Sequence, residues 1–248
     1  MKTKILLTLI TFQFAIMNTN PCTGQGVMIG LKAGVGFSEL YYSKGWKVSS
    51  VKENDWRLIN FAGGFTINLQ IAEKWSFHSE ILFEDKGDRF HYYSDSDRVE
   101  GIWRKNVEEI IVNHNYYLHF PQTIRYEIQL SKKGSDLFYL EGGPYFAFYL
   151  SSKEVNKYKF DGTEKKDISY YDLTGISTNV LSWNQFDWGA KVGMGILLIK
   201  KKGTFDFNIS DEQMLKSFTN VIDNTKSYFN VISITIGYSL PVAKMRSR

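Results

Sequence analysis

Residues 137–150 read LFYLEGGPYFAFYL, and a period of two divides them cleanly. Phe138, Leu140, Gly142, Pro144, Phe146, Phe148 and Leu150 fall on one side, and Tyr139, Glu141, Gly143, Tyr145, Ala147 and Tyr149 on the other. Alternation of this kind predicts a strand with two unlike faces. The apolar face continues for about the 9–11 residues that a tilted strand needs to cross a bilayer. The other face holds one carboxylate among tyrosines and small residues, which suits the inside of a narrow barrel.

Composition agrees. Aromatics make up 16% of the 248 residues, and there are 20 Gly against 4 Pro. That balance favours β-structure over a helical bundle. The mean hydropathy of −0.26 argues against membrane helices but not against a transmembrane barrel, in which half of each strand is polar.

Residues 1–24 form a separate object. Lys2 and Lys4 precede an uncharged apolar run from Ile5 to Met17, and Cys22-Thr23-Gly24 ends the segment. This is the pattern of a secretory signal peptide with cleavage near Gly24. Cys22, the one cysteine, would leave with it. A lipoprotein cysteine is the weaker alternative, because Asn20-Pro21 is a poor approach to such a site. Losing two lysines takes the formal charge from +4 to +2. So small and evenly spread a charge gives no footprint for nucleic acid. Residues 25–248 are read as one barrel domain.

Eight strands are predicted. The first, about 27–38, faces Val27, Ile29, Leu31, Ala33, Val35 and Phe37 outward, with Lys32 and three glycines inward. The second, 60–71, carries Phe61, Phe65 and Ile67 outward. The third, from Trp75, sets Phe77, Ile81 and Phe83 against inward His78, Glu80, Glu84 and Lys86. The fourth, 116–129, turns His119, Thr123, Arg125 and Glu127 inward, and Pro121 within it predicts a bulge. Residues 137–150 make the fifth. The sixth, 186–198, has Asp187 and Lys191 inside with three glycines, and the seventh, 204–210, is short and weak. The eighth is 230–240. The connections 39–57, 87–113, 151–185 and 211–227 are read as long loops, and 72–74, 131–136 and 200–203 as tight turns. Such a rhythm is that of an outer-membrane barrel, with extracellular loops on one rim and periplasmic turns on the other.

The order of several short motifs resembles the PorT-like outer-membrane β-barrel family of Gram-negative bacteria, often called "porin family". The residues that carry the resemblance are Gly30-Leu31-Lys32-Ala33-Gly34, Glu80-Ile81-Leu82-Phe83 with Lys86-Gly87, and Tyr117-Leu118-His119-Phe120-Pro121 with Arg125-Tyr126. Tyr139-Leu140-Glu141-Gly142-Gly143-Pro144-Tyr145 and Asp187-Trp188-Gly189 with Gly193 and Gly195 complete it. His119 stands where the family usually has an acid, and Leu240 is followed by a tail, Pro241 to Arg248. The resemblance implies an eight-stranded barrel in the outer membrane and, by analogy, a partner in a secretion or envelope machine. It implies no shared activity.

Lys32, Glu80, Glu84, Arg125, Glu141, Asp187 and Lys191 form the strongest constellation. They are read as a structural salt-bridge network filling the lumen, because buried charges need partners. A proton or ion path is the rival, disfavoured because eight strands enclose little more than their own side chains. His78-Ser79-Glu80 suggests a hydrolase, but alternation puts the serine on the lipid face, away from both neighbours. The four histidines have no ligand-pair spacing, so no metal is expected, and no cofactor either, since the glycines of GAKVGMG sit inside a strand. The pattern is read as a closed-lumen barrel, not an enzyme, that binds or scaffolds while contacting outer-membrane lipid and an envelope or secretion partner. A narrow solute channel and a lipid-modifying enzyme are the alternatives.

Overall fold

The computed structural model describes residues 26–42, 58–99, 102–130, 135–172, 182–183, 186–216, 219–220 and 227–242. The signal segment and the tail beyond residue 242 lie outside these. The strands are β1 (Val27–Tyr42), β2 (Leu58–Ala72), β3 (Trp75–Val99), β4 (Ile102–Gln129), β5 (Leu137–Phe160), β6 (Thr163–Asp172), β7 (Ser182–Trp183), β8 (Phe186–Lys200), β9 (Gly203–Met214), β10 (Thr219–Asn220) and β11 (Ser227–Pro241).

All pairings are antiparallel, and eight strands close on themselves in the order β1-β2-β3-β4-β5-β8-β9-β11. The first and last strands meet at the rim of the short turns, where Val242 N donates to Val27 O at 2.9 Å. Closure removes every sheet edge within the ring. The predicted faces are the observed ones. Leu31, Phe65, Leu140, Val192 and Ile236 are exposed outward, while Lys32, Glu80, Arg125, Tyr139, Glu141 and Lys191 are buried inside.

The inward glycines have a packing reason. A Cβ at Gly195 would lie 2.5 Å from the Tyr139 hydroxyl, and one at Gly189 would lie 2.5 Å from Cε1 of Tyr145. Both tyrosines come from β5, which pairs directly with β8. Bare backbone on β8 is what allows two large rings to lie across so narrow a lumen.

Three expectations are corrected. First, much of the two longest loops is strand. The β3–β4 ladder runs unbroken in register up to Val99↔Ile102, β5 continues to Phe160, and β6 turns back along it. The upper parts of β3, β4 and β5, with β6, thus make a four-stranded wall above the ring. These segments lack a one-sided apolar alternation because hydrocarbon no longer demands it, whereas the ladder bonds begun below simply continue. Second, β9 reaches Met214 and is a full strand of 12 residues. Third, Pro121 causes no bulge. Ser79↔Gln122 and Leu82↔His119 keep one register on either side of it, and Pro121 itself stands opposite Tyr145. The register shift lies at Tyr116/Tyr117, opposite Tyr149 and Ser151, where ring gives way to wall. A missing proline donor costs one ladder bond and does not by itself require an extra residue.

Candidate functional site: a filled lumen and the wall above it

Three tiers of charge fill the ring. Nearest the turn rim, Arg125 on β4 gives its Nε to Glu141 Oε2 on β5 at 2.8 Å, and its Nη2 lies 3.1 Å from Asp206 Oδ2 on β9. The guanidinium lies over the Tyr139 ring, 4.1 Å from its centroid. The Tyr139 hydroxyl donates to Asp206 at 2.6 Å, and Asn208 donates to that hydroxyl at 2.9 Å and to Glu141 at 3.1 Å.

Glu80 is the centre of the middle tier. Lys32 donates to its Oε1 at 2.6 Å and Lys191 to its Oε2 at 3.0 Å, while His78 Nε2 stands 2.8 Å from Oε1. In the upper tier the Lys86 ammonium lies 3.2 Å from Glu84 and 3.4 Å from Glu212. The His119 ring bridges the same two carboxylates, with Nδ1 3.0 Å from Glu84 and Nε2 3.4 Å from Glu212. Lys191 links the tiers, 3.5 Å from Glu212. Above them Leu40, Tyr117, Tyr145, Ala147, Tyr149, Met214 and Phe229 form a buried cluster against which Phe90 packs.

The seven residues singled out from the sequence therefore fall into different groups. Lys32, Glu80 and Lys191 meet; Arg125 and Glu141 meet; Glu84 joins Lys86 and His119. Asp187 is buried beside Tyr117 with no cation within 4 Å among the described residues. Arg125 does not bridge Glu80 and Glu141, as adjacency of strands three to five suggests. Its second carboxylate is Asp206, contributed from the far side of the ring. Asp206 and Glu212 escape the sequence pattern because the seventh strand reads as short and weak over 204–210, which leaves Glu212 in a loop and the strand's inward side unfollowed. Continuing the alternation Thr204, Asp206, Asn208, Ser210, Glu212 would have found both.

Two chemical possibilities can be tested on this geometry. Glu84, His119 and Glu212 offer ligand atoms within 4.8 Å of one another, but both ring nitrogens of His119 already face carboxylates. The Lys86 ammonium supplies, between those carboxylates, the positive charge that a divalent ion would bring. The set is an ion-pair cage. His78 and Glu80 meet inside the barrel, while Ser79 faces outward and accepts from Gln122 Nε2 at 2.9 Å, so no serine–histidine pair forms there.

The wall has unlike faces. Alternation and register place Asp88, Glu109, Glu154 and Asp167 on the face that continues the lumen, and Arg89, Lys153, Lys157 and Lys166 on the face that continues the lipid side. High on the inner face, burial pushes the Tyr158 phenol up to about 12, with the Glu109 carboxylate accepting its hydrogen bond and adding its charge.

A closed ring with apolar side chains outside and paired charges inside is a transmembrane β-barrel. The chain belongs to the family described as outer membrane protein beta-barrel domain, whose model matches residues 17–221. Its location is the outer membrane. Among solved structures it is similar to Neisserial surface protein A, at 8% identity over 86% of this chain and 96% of that one, with a TM-score of 0.37. It is similar to Ail of Yersinia pestis, solved with the heparin analogue sucrose octasulfate, at 10% identity over 87% and 99% of the chains and a TM-score of 0.34. OprG from Pseudomonas aeruginosa is 14% identical over 88% of this chain and 96% of that one, with a TM-score of 0.39. No curated protein matches the sequence.

The topology makes a labelling prediction. Thr163→Cys, at the β5–β6 turn, should react with an impermeant thiol reagent in intact cells, and Ser135→Cys, at the opposite rim, only after the outer membrane is opened. Labelling of Ser135→Cys alone in intact cells would mean that the barrel stands the other way up.

Proposed function

We propose that this protein is a closed barrel that works by binding, with the β3–β6 wall as its recognition surface outside the cell, and that it is neither a channel nor an enzyme. The observation that carries this reading is the filled lumen. Lys32, Lys191 and His78 converge on Glu80 at mid-height, and the aromatic cluster around Tyr117 and Tyr149 lies over the upper tier. Among the described residues, the pocket that enters from the turn rim is about 20 Å³ and is floored by Lys32, His78 and Arg125; that is room for about one water. Solute passage would require several buried ion pairs to part together, each leaving uncompensated charge.

Resemblance to PorT-like barrels favours a partner in a secretion or envelope machine. The long regular wall favours it too, since a barrel that only spans the membrane needs no strands of 24 to 28 residues. Planar-bilayer recording from the purified protein tests the closed lumen. Electrical silence is the expected result, and large stable single-channel currents would establish the channel reading instead.

A further inference from the structure

We propose that the outer face of the wall is a seat for the phosphate groups of outer-leaflet lipid. The inference rests on the same orientation as the binding reading, concerns the outer face of the wall alone and needs no protein partner.

Position comes first. From Trp75 to Asp85 is ten residues of β3, or about 34 Å of strand and about 25 Å of height at the usual barrel tilt. The outward aromatics Phe83 and Tyr116 stack at the top of this band, their centroids 5.7 Å apart, and His114 stacks on Tyr116 in turn. Asp85 holds His114 at 2.7 Å. The cross-strand rows directly above therefore begin where hydrocarbon gives way to headgroups.

Those rows are cationic around an apolar middle. Gly87, His114, Lys153 and Tyr170 make the lowest, with the Lys153 ammonium 5.7 Å from the Tyr170 ring centroid. Next come Arg89, Val112, Val155 and Ile168, and then His91, Ile110, Lys157 and Lys166. Lys157 and Lys166 stand directly opposite each other on β5 and β6. Like charges in that position repel, and a sheet normally avoids them. Among the described residues no carboxylate forms an ion pair with Arg89, Lys153, Lys157 or Lys166; in the row above, Glu108 is held by His91 at 2.8 Å and Glu164 stands opposite Lys159. An anion seated among these side chains relieves that repulsion, and lysines snorkel readily toward phosphate from just above an apolar band. The apolar residues between them fit a lipid better than a soluble polyanion. On the far side of the ring the described outward residues at the rim include Glu39 and Asp211, and Lys216 there donates to the Phe186 carbonyl at 2.7 Å.

The test uses full-length protein in dodecyl maltoside and reads the shift of its unfolding temperature in a heat-modifiability gel. Diphosphorylated lipid A should raise that temperature, and the same lipid stripped of phosphate should not. In K157E/K166E the lipid concentration needed for half the shift should rise about tenfold or more. K157Q/K166Q keeps the shape of the surface and serves should the charge reversal fail to fold. Without lipid it should melt at or above the wild type, because a repulsion has been removed, and it too should need more lipid. Equal shifts from phosphorylated and phosphate-free lipid would overturn the proposal, as would variants that respond like the wild type. A shift from inorganic pyrophosphate as large as that from the lipid would make this a soluble-anion site and overturn it as well.

Discussion

Arg125→Ala should lower the barrel's unfolding temperature in a heat-modifiability gel by the equivalent of about 3–5 kcal/mol, the usual cost of breaking a buried ion pair by removing one partner. The variant leaves Glu141 and Asp206 facing a vacated space in the lower lumen, with Tyr139 stripped of the cation over its ring. The partner for rescue is particular. Asp206→Asn in the Arg125→Ala background should recover part of the loss, since it discharges one of the two carboxylates that are left, among the described residues, with no cation within 4 Å. Glu80→Gln in the same background should recover nothing and deepen the loss, because Glu80 balances Lys32 and Lys191 and is no direct partner of Arg125. Wild-type melting of Arg125→Ala would show that this tier carries no stability.

That contrast marks how far the sequence alone can be read. Facing is a local property. The alternation in Val27–Ser38, Leu137–Leu150 and Phe186–Leu198 placed every outward and inward residue there, because hydrocarbon outside and a crowded polar interior leave a strand no choice of face. Partnership is not local. Arg125 meets Asp206 across the lumen, on strands that are not neighbours in the ring, and only closure with its stagger brings them together. Neighbouring strands suggested Glu80 instead. Glu84 and Glu212 share Lys86 and His119 for the same reason, and Glu212 falls in the segment 211–227 that the sequence pattern reads as a loop.

Strand ends were the other loss. The apolar signal stops at the top of the hydrocarbon band, near Phe83 and Tyr116, whereas the backbone pairing does not. Gly87 to Val99 alternates charged and aromatic residues on both faces, which reads as loop. Yet each residue inherits its register from the one below, with Asp85↔Tyr116 leading to Gly87↔His114 and on to Arg98↔Trp103. Extending a formed ladder by one residue costs less than starting a new one, so a hairpin can outrun its own hydrophobic pattern.

The middle tier should show the largest effect of any single side chain in the lumen. Glu80 is the carboxylate on which two lysines and a histidine converge, and it is 1% exposed. Glu80→Gln preserves shape and an acceptor oxygen but leaves the ammoniums of Lys32 and Lys191 with the charge of Glu212, 3.5 Å from Lys191, as their nearest compensation. Desolvated like charges without a counter-ion cost several kcal/mol each, so Glu80→Gln should fall below Arg125→Ala in thermal stability. Lys32→Met alone should also destabilise, but by less, since Glu80 retains Lys191. The double variant Lys32→Met/Glu80→Gln should stand well above the sum of the two losses. Residues that share a pair typically couple by about 0.5–3 kcal/mol, and removing both partners takes away the desolvation cost together with the attraction. A cycle that closes with no coupling would show that Lys32 and Glu80 sit side by side without depending on each other. The closed lumen would then rest on the aromatic cluster and on Arg125, and not on the ion pairs at its centre.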